Sequence, residues 1–386
     1  MSAGSRGRIA LHVPDCYPIV SGGRIPLAGG IEVHALLLAI GLARRGFDVS
    51  VIACDYGQPD GLVVDGVRLI RTFRPRDGLR VLRFFHPRLS LTIGALRRAD
   101  ADVYVAQGAG MYAGLVCDVA RAMRRPFVFM AAHEFDLQPT LPRIHGPRDR
   151  LWYRRALAGA RSIVVQTERQ RTLLRTSFGR EGIVLMNPVD IPDQPADPAA
   201  SRRVVWLATY KPSKRPEWFT RLAERHPELE CVMGGVVPTP PLSEYDYQAA
   251  LAVAGRCRNL EVNGTIPHER VGEFLRGAGL FAHSSPAEGF PNTFLEAWSC
   301  GLPTVTCFDP DGIIARERLG ERQDTFEGWE AAVLRWIDDP PSRAEAGSRA
   351  RTYARRVHGS GEILDRFADE MDRLVALRRG HRRGAG

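Results

Sequence analysis

The sequence predicts an α/β protein built from two Rossmann-like, doubly wound parallel-sheet domains that face a cleft. Short apolar runs alternate with segments of helical period in both halves of the chain, and this alternation indicates a parallel sheet covered by helices on both faces. A segment with four prolines at 187–198 interrupts the alternation, which favours an interdomain linker. A length of 386 residues is typical of two domains at about 100–200 residues each. Ligands are expected in the cleft, at the carboxyl ends of the strands.

The N-terminal half opens with a strand at 8–13, a loop containing glycines, and a helix at 31–45 whose apolar residues recur at helical spacing. Gly46 ends this helix, because glycine readily adopts the left-handed conformation of a helix C-terminus. Further strands are expected where apolar runs recur, at 47–53, 67–71, 102–106, 127–131, 162–166 and 183–186. We assign residues 1–187 to an N-terminal Rossmann-like domain.

The second half repeats the pattern after a linker at 188–200, and residues 201–360 form the predicted C-terminal Rossmann-like domain. Its expected strands are 203–209, 230–233, 260–263, 280–283 and 304–308, and its expected helices are 216–225, 244–256, 268–276 and 292–300. The chain then reads as helical from 325 to about 377, with a break at Asp339-Pro340-Pro341. A C-terminal helix at 361–377 is expected to pack back on the N-terminal domain, ahead of a frayed basic tail at 378–386.

The apolar runs, the N-terminus and the cysteines indicate in which compartment the protein is located. No apolar run approaches the ~18–20 residues that a membrane-spanning helix requires, and the N-terminus lacks the apolar core of a secretion signal. The seven cysteines are scattered without a C-x-x-C pair, a pattern typical of reduced thiols rather than of a disulfide frame or a zinc site. We therefore expect a cytoplasmic protein.

The basic residues are unevenly divided between arginine and lysine. The net charge is +9, yet only two of the 53 basic residues are lysines, and both lie in Tyr210-Lys211-Pro212-Ser213-Lys214. Lysine carries a compact point charge that suits phosphate. The arginines, by contrast, are spread along the chain without a basic stripe interleaved with aromatic residues, which argues against a nucleic-acid partner.

Residues 286–305 form the most informative segment, which reads as loop, helix and strand. Asn292 or Thr293 is expected to cap the helix, whose first N–H groups would bind an anion. Two carboxylates, Glu288 and Glu296, flank that end, and a carboxylate can accept hydrogen bonds from both hydroxyls of a vicinal diol. Backbone amides that bind phosphate, together with carboxylates that bind hydroxyls, would suit a nucleotide sugar as the ligand. The alternative is that the segment binds no ligand: Asn292 or Thr293 would only cap an ordinary helix, and the acids would only be solvated.

The spacing Glu288-x7-Glu296, followed by Ala297 and Gly301-Leu302-Pro303, resembles the E-x7-E signature of the group 1 (family 4-like) retaining glycosyltransferases. This resemblance implies the GT-B fold, in which two Rossmann-like domains face a cleft. Four further segments match the family in the right order, GGIEVH at 29–34, LARRGFDV at 42–49, NPVD at 187–190 and NLEVNG at 259–264.

The resemblance implies roles for the residues of this motif. Glu296 would hold the ribose hydroxyls of the donor, and Glu288 would hold hydroxyls of the transferred sugar. Residues expected beside the donor in the same segment are Phe290, Asn292 and Thr293. Lys214 would neutralise the diphosphate leaving group. The family commonly has an arginine five residues before this lysine, where this chain has Thr209, so either Lys211 supplies the second charge or the site uses one cation fewer.

Three residues of the N-terminal domain complete the expected site. His133 follows an apolar strand, as residues aimed into a cleft do, and resembles the family's active-site histidine beside the donor sugar. The N-terminal domain would face the acceptor, and Gly29 and Gly30 would allow its backbone to approach the donor phosphate or the acceptor closely. We expect no metal and no cofactor. Asp309-Pro310-Asp311 matches a D-x-D metal-nucleotide pattern of a different glycosyltransferase fold, but it lies after the donor helix and proline favours a turn there.

The predicted function is a retaining, metal-independent transfer of a sugar from a nucleoside diphosphate donor to a hydroxyl of a glycan, lipid-linked or small-molecule acceptor. Two alternatives remain open. A nucleotide-sugar epimerase or hydrolase of the same fold would consume donor without an acceptor, and a non-catalytic carbohydrate-binding or membrane-associated protein would not consume donor. The loop 73–91 combines five arginines with apolar residues, which predicts peripheral contact with an anionic membrane on its cytoplasmic face.

Overall fold

The computed structural model describes residues 5–21, 29–79, 82–142, 144, 146–238 and 244–383, with side chains up to residue 380. Arg80 and Val81 of the arginine-rich loop lie outside this range. The described chain divides into two compact units. Of the described residues, the N-terminal unit contains those in 5–21, 30–188 and 361–383, and the C-terminal unit contains Gly29 and those in Val189–Ser360. No helix among the described residues is both long enough and apolar enough to cross a bilayer.

The N-terminal unit contains an eight-stranded sheet. Its strands are β1 (Arg8–His12), β2 (Asp48–Ala53), β3 (Val63–Val64), β4 (Val67–Arg71), β5 (Val103–Gln107), β6 (Phe127–Met130), β7 (Ser162–Val165) and β8 (Ile183–Val184). They lie in the order β3-β4-β2-β1-β5-β6-β7-β8, and every neighbouring pair is parallel except β3 and β4. The order reverses between β1 and β5, which makes the carboxyl ends of these two strands the expected ligand position of this sheet.

Helices cover both faces of this sheet. They are α1 (Cys16–Val20), α2 (Gly30–Arg44), α3 (Ser90–Ala99), α4 (Met111–Ala122), α5 (Pro147–Gly159) and α6 (Glu168–Phe178), with an irregular helical segment at Phe84–Leu89 and a 3₁₀ turn at Glu134–Leu137. Successive strand residues alternate between the faces. Val105 thus packs towards α2, while Tyr104 and Ala106 join the opposite core with α3, α4 and α5.

The C-terminal unit contains a six-stranded, fully parallel sheet. Its strands are β9 (Arg203–Thr209), β10 (Glu230–Val236), β11 (Leu260–Thr265), β12 (Leu280–His283), β13 (Thr304–Thr306) and β14 (Gly320–Arg322). Their order is β11-β10-β9-β12-β13-β14, so this sheet reverses between β9 and β12. Gly235 of β10 lies so close to β9 that an added Cβ would come within 1.7 Å of the Ala208 carbonyl oxygen. Only glycine fits there.

Among the described residues of this unit, the sheet is accompanied by seven helices and three 3₁₀ turns. The helices are α7 (Pro216–Arg225), α8 (Tyr245–Ala254), α9 (Val271–Arg276), α10 (Asn292–Cys300), α11 (Ile313–Glu317), α12 (Phe326–Asp338) and α13 (Pro340–His358), and the turns are Pro212–Lys214, His268–Arg270 and Pro310–Gly312. One core joins the sheet to α9, α10, α11 and α13, and the other joins it to α7, α8 and α12. Trp298 and Trp329, one in each core, have no exposed surface.

The proline-rich segment predicted as a linker is packed against α10 and α13. The Ala196 N–H donates a 2.7 Å hydrogen bond to the Cys300 carbonyl oxygen. The fully buried guanidinium of Arg343 donates to the carbonyl oxygens of Pro198 and Ser201, each at 3.0 Å. Since these hydrogen bonds pair both N–H and carbonyl groups of a segment without regular structure, the segment is held in place along the C-terminal unit.

The last helix, α14 (Ser360–Arg383), differs from the sequence expectation at both ends. The predicted helical region has a second break, at Gly359, and the predicted frayed tail is wrong for 378–383, which are helical. From Gly361 onward α14 belongs to the N-terminal unit. It crosses α2 so closely that a Cβ on Gly41 would lie 2.4 Å from a Leu364 methyl carbon. The Arg378 guanidinium is buried and pairs with Asp102.

Candidate active site

Polar side chains meet at the carboxyl ends of three neighbouring strands of the C-terminal unit. Strand β9 leads to Lys214, β12 ends at His283 and leads to Glu288, and β13 ends at Thr306. Because β9, β12 and β13 are adjacent in the sheet, their carboxyl ends lie side by side. This position includes the point between β9 and β12 where the strand order reverses, which is where doubly wound sheets bind ligands.

Two buried serines hold the turn that carries Lys214. Ser284 Oγ lies 2.7 Å from the Lys214 carbonyl oxygen and accepts a 2.9 Å hydrogen bond from Nε1 of the buried Trp206. Ser285 Oγ donates a 3.2 Å hydrogen bond to the Ser213 carbonyl oxygen. Because both serines directly follow β12, they attach the Pro212–Lys214 turn to the end of that strand. The lysine therefore starts from a defined backbone position.

Lys214 and Glu288 form a largely buried ion pair. The Lys214 ammonium contacts Glu288 Oε1, and only 18% and 12% of their side chains are exposed. Burial raises the pKa of Glu288, but the attraction of Lys214 and a hydrogen bond from His283 outweigh it, so the pKa of this carboxyl is held well below its ordinary value. Glu288 is therefore an ionised hydrogen-bond acceptor at neutral pH.

His283 lies behind this pair and was not predicted from the sequence as a site residue. It is 2% exposed, with Nε2 3.5 Å from Glu288 Oε1 and Nδ1 3.0 Å from Thr306 Oγ1. Burial lowers the pKa of His283, and the nearby Glu288 offsets part of that effect. Its carbonyl oxygen accepts a 3.2 Å hydrogen bond from Trp329 Nε1. The histidine is thus held at both its backbone and its ring.

Glu296 lies on α10 and is paired with a histidine from the turn after β11. His268 Nδ1 is 3.5 Å from Glu296 Oε1, and 17% of the Glu296 side chain is exposed. The hydrogen bond that His268 donates to the Glu296 carboxylate raises the pKa of His268 despite an opposing effect of burial. His268 is a second residue that the sequence did not indicate as part of the site, since the two side chains are 28 positions apart.

The remaining predicted donor residues surround the start of α10. The expected capping by Asn292 or Thr293 is wrong, because Pro291 occupies the N-cap and makes no side-chain capping bond. Asn292 and Thr293 are instead the first two helical residues. The Phe290 ring is buried against Trp298, at a centroid distance of 6.3 Å. Its side chain therefore belongs to the core, and only its backbone is a candidate for ligand contact.

Lys214, and not Lys211, contacts Glu288, and Asp309 of the D-x-D pattern is occupied by backbone N–H groups. Lys211 is exposed at the start of the Pro212–Lys214 turn. The Asp309 carboxylate accepts hydrogen bonds from the N–H groups of Ile314 and Ala315, at 2.8 and 3.2 Å. It thereby caps α11. The described part of the chain contains no cluster of three or more histidine, cysteine or acidic residues suited to a metal.

In the N-terminal unit, His133 follows β6 and begins the 3₁₀ turn at Glu134–Leu137. It is 8% exposed, and its ring stacks on Phe135 at 4.4 Å. The Phe135 N–H donates a 3.2 Å hydrogen bond to His133 Nδ1, and the His133 N–H donates to Asp136 Oδ2 at 3.0 Å. The His133 ring therefore accepts a backbone hydrogen bond at Nδ1.

A second group of polar residues lies where the N-terminal sheet reverses. Strands β1 and β5 end at His12 and Gln107. The buried His34 of α2 places Nδ1 2.9 Å from Gln107 Nε2. Burial lowers the pKa of His12 and of His34 to about 4 each, so both are neutral at pH 7. Gly30 is the first residue of α2, four positions before His34, and Gly29 precedes it.

Two family models match the chain. Residues 29–190 match the glycosyl transferase 4-like domain, and residues 201–353 match the glycosyl transferases group 1 domain. Among curated proteins, the phosphatidylinositol N-acetylglucosaminyltransferase GPI3 subunit of Saccharomyces cerevisiae (strain YJM789) is 26% identical over 158 residues, which are 37% of this chain and 34% of the yeast protein. The chain therefore matches about a third of the length of this relative.

Two solved structures share the fold along nearly the whole chain. Sucrose-phosphate synthase from Thermosynechococcus elongatus superposes with a TM-score of 0.77 at 16% identity, covering 96% of this chain and 99% of its own. Anabaena HepE, solved with UDP and glucose, gives a TM-score of 0.70 at 16% identity, covering 94% and 98%. These similarities confirm the predicted GT-B fold.

Proposed function

Because the chain belongs to the group 1 glycosyltransferases, we propose that it transfers a sugar from a uridine diphosphate sugar to an acceptor hydroxyl with retention of anomeric configuration. The choice of uridine is supported by HepE, which was solved with UDP-glucose, and by Staphylococcus aureus TarM, which was solved with UDP. Retention is supported by the Glu288-x7-Glu296 spacing, a signature of retaining enzymes. The enzyme is proposed to work in the cytoplasm.

The buried pair of Lys214 and Glu288 is the observation that carries this proposal. A cation held against a carboxylate at the reversal point of the sheet offers one partner for phosphate and one for hydroxyls. When a diphosphate arrives, the Lys214 ammonium can turn towards it, because its flexible stem allows the head to move while the stem stays packed. Glu288 then accepts hydrogen bonds from hydroxyls of the transferred sugar.

The charge of Glu288 also bears on the mechanism. A carboxyl whose pKa is held below its ordinary value does not donate a proton at neutral pH, so Glu288 is unsuited to be a general acid. We assign it to binding and orientation. The departing phosphate oxygen takes the proton of the acceptor hydroxyl on the same face of the sugar, while Lys214 and the first N–H groups of α10 stabilise the developing charge. We propose that no metal takes part, since Lys214 supplies the cation.

Glu296 is proposed to hold the ribose hydroxyls. In the structure its carboxylate faces His268 at 3.5 Å, so a bound ribose would compete with that histidine for Glu296. His268 keeps 37% of its side chain exposed, which leaves it free to turn towards solvent when the donor binds. His133, which directly follows β6 at the carboxyl end of the N-terminal sheet, is proposed to contact the transferred sugar.

A donor screen followed by product analysis tests the proposed function. UDP-, GDP-, ADP- and dTDP-glucose, and the corresponding N-acetylglucosamine donors, are added to the protein, and binding is measured by thermal shift and calorimetry. Proton NMR of the products then gives the anomeric configuration through the H1–H2 coupling. Inversion would contradict the proposed mechanism. Release of free sugar at the same rate with and without any acceptor would favour the hydrolase alternative.

For the acceptor, we propose a lipid-linked hydroxyl reached at an anionic membrane surface. The supporting feature is a patch of exposed apolar side chains in the N-terminal unit. Its members are Leu79, Leu82, Phe85 and Leu151, which are 55–74% exposed. The Phe84 ring lies 6.0 Å from the Trp152 ring and 3.8 Å from the Arg148 guanidinium carbon, so the loop is packed on α5. Exposed Arg83 lies beside Leu82.

Exposed leucine and phenylalanine next to arginines match a lipid surface, because apolar side chains can enter the headgroup region while each basic residue adds about 1 kcal/mol of attraction to anionic lipid. Co-sedimentation with vesicles of phosphatidylcholine alone, or with phosphatidylglycerol added, tests this at low and high salt. Phe85→Ser should weaken binding to anionic vesicles, with Tyr245→Ser, an exposed aromatic of the C-terminal unit, as control. Equal binding to both kinds of vesicle would contradict the proposal.

A further inference from the structure

Glu288 uses only one of its two oxygens in the structure. The Lys214 ammonium contacts Oε1, and His283 Nε2 also faces Oε1, at 3.5 Å. Within the described residues, Oε2 has no hydrogen-bond or ion-pair partner. Since a carboxylate can accept hydrogen bonds at both oxygens, Oε2 is the atom that remains for a ligand. The orientation of Glu288 therefore depends on what holds Oε1.

Donor binding would remove one of the two groups at Oε1. If the Lys214 ammonium turns towards the diphosphate, its contact with Glu288 weakens at the moment when the carboxylate must be oriented towards the sugar. His283 cannot leave in the same way, because it is 2% exposed and its ring lies 4.8 Å from the Phe294 ring. The 3.5 Å separation from Glu288 is one that can shorten in a complex, since hydrogen bonds at active sites are often long in the empty protein.

The protonation of His283 decides whether it attracts or repels Glu288. A bare Nε2 would place a lone pair against an ionised carboxylate, whereas an N–H there is attractive. In the neutral ring, a proton on Nε2 leaves Nδ1 as an acceptor, and Thr306 Oγ1 lies 3.0 Å from it. The Phe308 N–H donates to Thr306 Oγ1 at 3.0 Å. The single hydroxyl proton of Thr306 has two acceptors within reach, the Phe308 carbonyl oxygen at 3.1 Å and His283 Nδ1 at 3.0 Å. When the ionised Glu288 keeps the histidine proton on Nε2, Nδ1 has a free lone pair and the Thr306 hydroxyl can turn from the carbonyl oxygen to donate to it.

We propose that His283 is a positioning residue whose Nε2–H holds Oε1 of Glu288, so that Oε2 receives a hydroxyl of the transferred sugar, and that Thr306 keeps the proton of His283 on Nε2. The chain of donors runs from the Phe308 amide through Thr306 and His283 to Glu288. Burial lowers the pKa of His283, which agrees with a neutral ring. This inference rests on the proposed role of Glu288, so its test must separate the two.

The test compares a nucleoside diphosphate with its glucose conjugate. Binding of UDP, GDP, ADP and dTDP, and of the four matching glucose conjugates, is measured by calorimetry, and the pair that binds most tightly is kept. Thr306→Val should lose about three- to tenfold in affinity for the glucose conjugate, the effect of one lost hydrogen bond, and should bind the nucleoside diphosphate as the wild type does. Thr306→Ser, which keeps the hydroxyl, should retain most of the affinity for the conjugate.

A matched control separates this effect from destabilisation. Thr304 lies on the same strand, is equally buried, and accepts a 2.9 Å hydrogen bond from Trp298 Nε1. Thr304→Val removes a buried hydroxyl in the same way but should leave the affinity for the glucose conjugate unchanged. For the histidine itself, His283→Gln can donate to Glu288 and accept from Thr306, so it should bind the conjugate more tightly than His283→Leu. Thermal unfolding of each variant checks that it is folded.

The outcomes distinguish the inference from the proposed function. If Glu288→Gln loses affinity for the glucose conjugate but Thr306→Val and His283→Leu do not, the positioning role is wrong and the role of Glu288 stands. If Thr306→Val weakens the diphosphate and its glucose conjugate equally, the threonine acts on the fold and the inference is also wrong. If the wild-type protein binds the glucose conjugate no more tightly than the nucleoside diphosphate, or if Glu288→Gln leaves the affinity for the conjugate unchanged, both the proposed role of Glu288 and the inference are wrong.

Discussion

Replacing Lys214 with methionine removes the charge that faces Glu288 while keeping an unbranched stem of similar length. The carboxylate is then left 12% exposed, with His283 as the neighbour at Oε1. Removing one partner of a buried ion pair costs about 3–5 kcal/mol. Because both side chains retain some contact with solvent and His283 stays, we expect a cost at or below the lower limit of that range, about 2–3 kcal/mol.

This loss can be converted into a melting temperature. In a unit of this size, about 1 kcal/mol shifts the midpoint by roughly 2–4 °C, so Lys214→Met should unfold about 4–12 °C below the wild type. The double variant Lys214→Met/Glu288→Gln contains no unpaired charge and should recover most of the loss, because replacing both members of a buried pair is often close to neutral. Neither variant should transfer sugar. The double variant should therefore recover stability without recovering activity, which distinguishes the two effects of the substitution.

The pH dependence gives an independent check on the same residue. The pKa of Glu288 is lowered from an ordinary 4.5 in the folded protein, so the stability that its pairing contributes is present above pH 4.5 and is lost as the pH falls towards the folded value. The unpaired Glu288 of Lys214→Met takes up a proton at higher pH. The difference in unfolding free energy between wild type and variant should therefore be largest near pH 7 and should shrink in acid.

Urea unfolding followed by tryptophan fluorescence measures these free energies, because Trp206, Trp298 and Trp329 are buried in the C-terminal unit. Lys214→Met and the double variant are compared at pH 7 and at pH 4. A destabilisation below about 1 kcal/mol at pH 7 would place the pair among ordinary surface ion pairs and refute this reasoning. The reasoning would also be refuted if the double variant were no more stable than Lys214→Met.

Three other predictions concern donor binding, metal dependence and acid stability. Glu296→Ala should weaken donor binding about ten- to a hundredfold, since a hydrogen bond to a charged group contributes about 1.5–3 kcal/mol; unchanged affinity by calorimetry would contradict its role. Turnover should survive excess EDTA, and activity that is abolished by EDTA and restored by magnesium or manganese would show the metal-free mechanism to be wrong. The pKa of buried His34 is lowered from 6.5 to about 4, so the N-terminal unit should lose stability as the pH falls from 6.5 towards 4. His34→Gln should show a shallower dependence in acid unfolding, and an identical slope would contradict the assignment.

Local patterns in the sequence were sufficient to predict most of the secondary structure. The strands at 67–71, 203–209 and 280–283 and the helices at 216–225 and 292–300 have the predicted bounds. Periodicity and helix-ending residues act over a few positions, so they can be read without knowing the fold. Where helix ends depend on distant contacts, the prediction was wrong: the helix at 360–383 continues past the predicted tail because Arg378 pairs with Asp102 of the N-terminal unit.

The sequence by itself determined that Glu288, Glu296 and the two lysines are candidate site residues. The spacing of the two acids and the rarity of lysine can both be read directly from the sequence, without knowledge of the fold. Only the tertiary structure decided which groups face them. The structure brings Lys214, rather than Lys211, to Glu288 across 74 positions, and brings His283 to Thr306 across 23. These pairs follow from the strand order, which places β9, β12 and β13 side by side. Strand order is set by burial of the whole sheet between its helices, and no local pattern of residues encodes it.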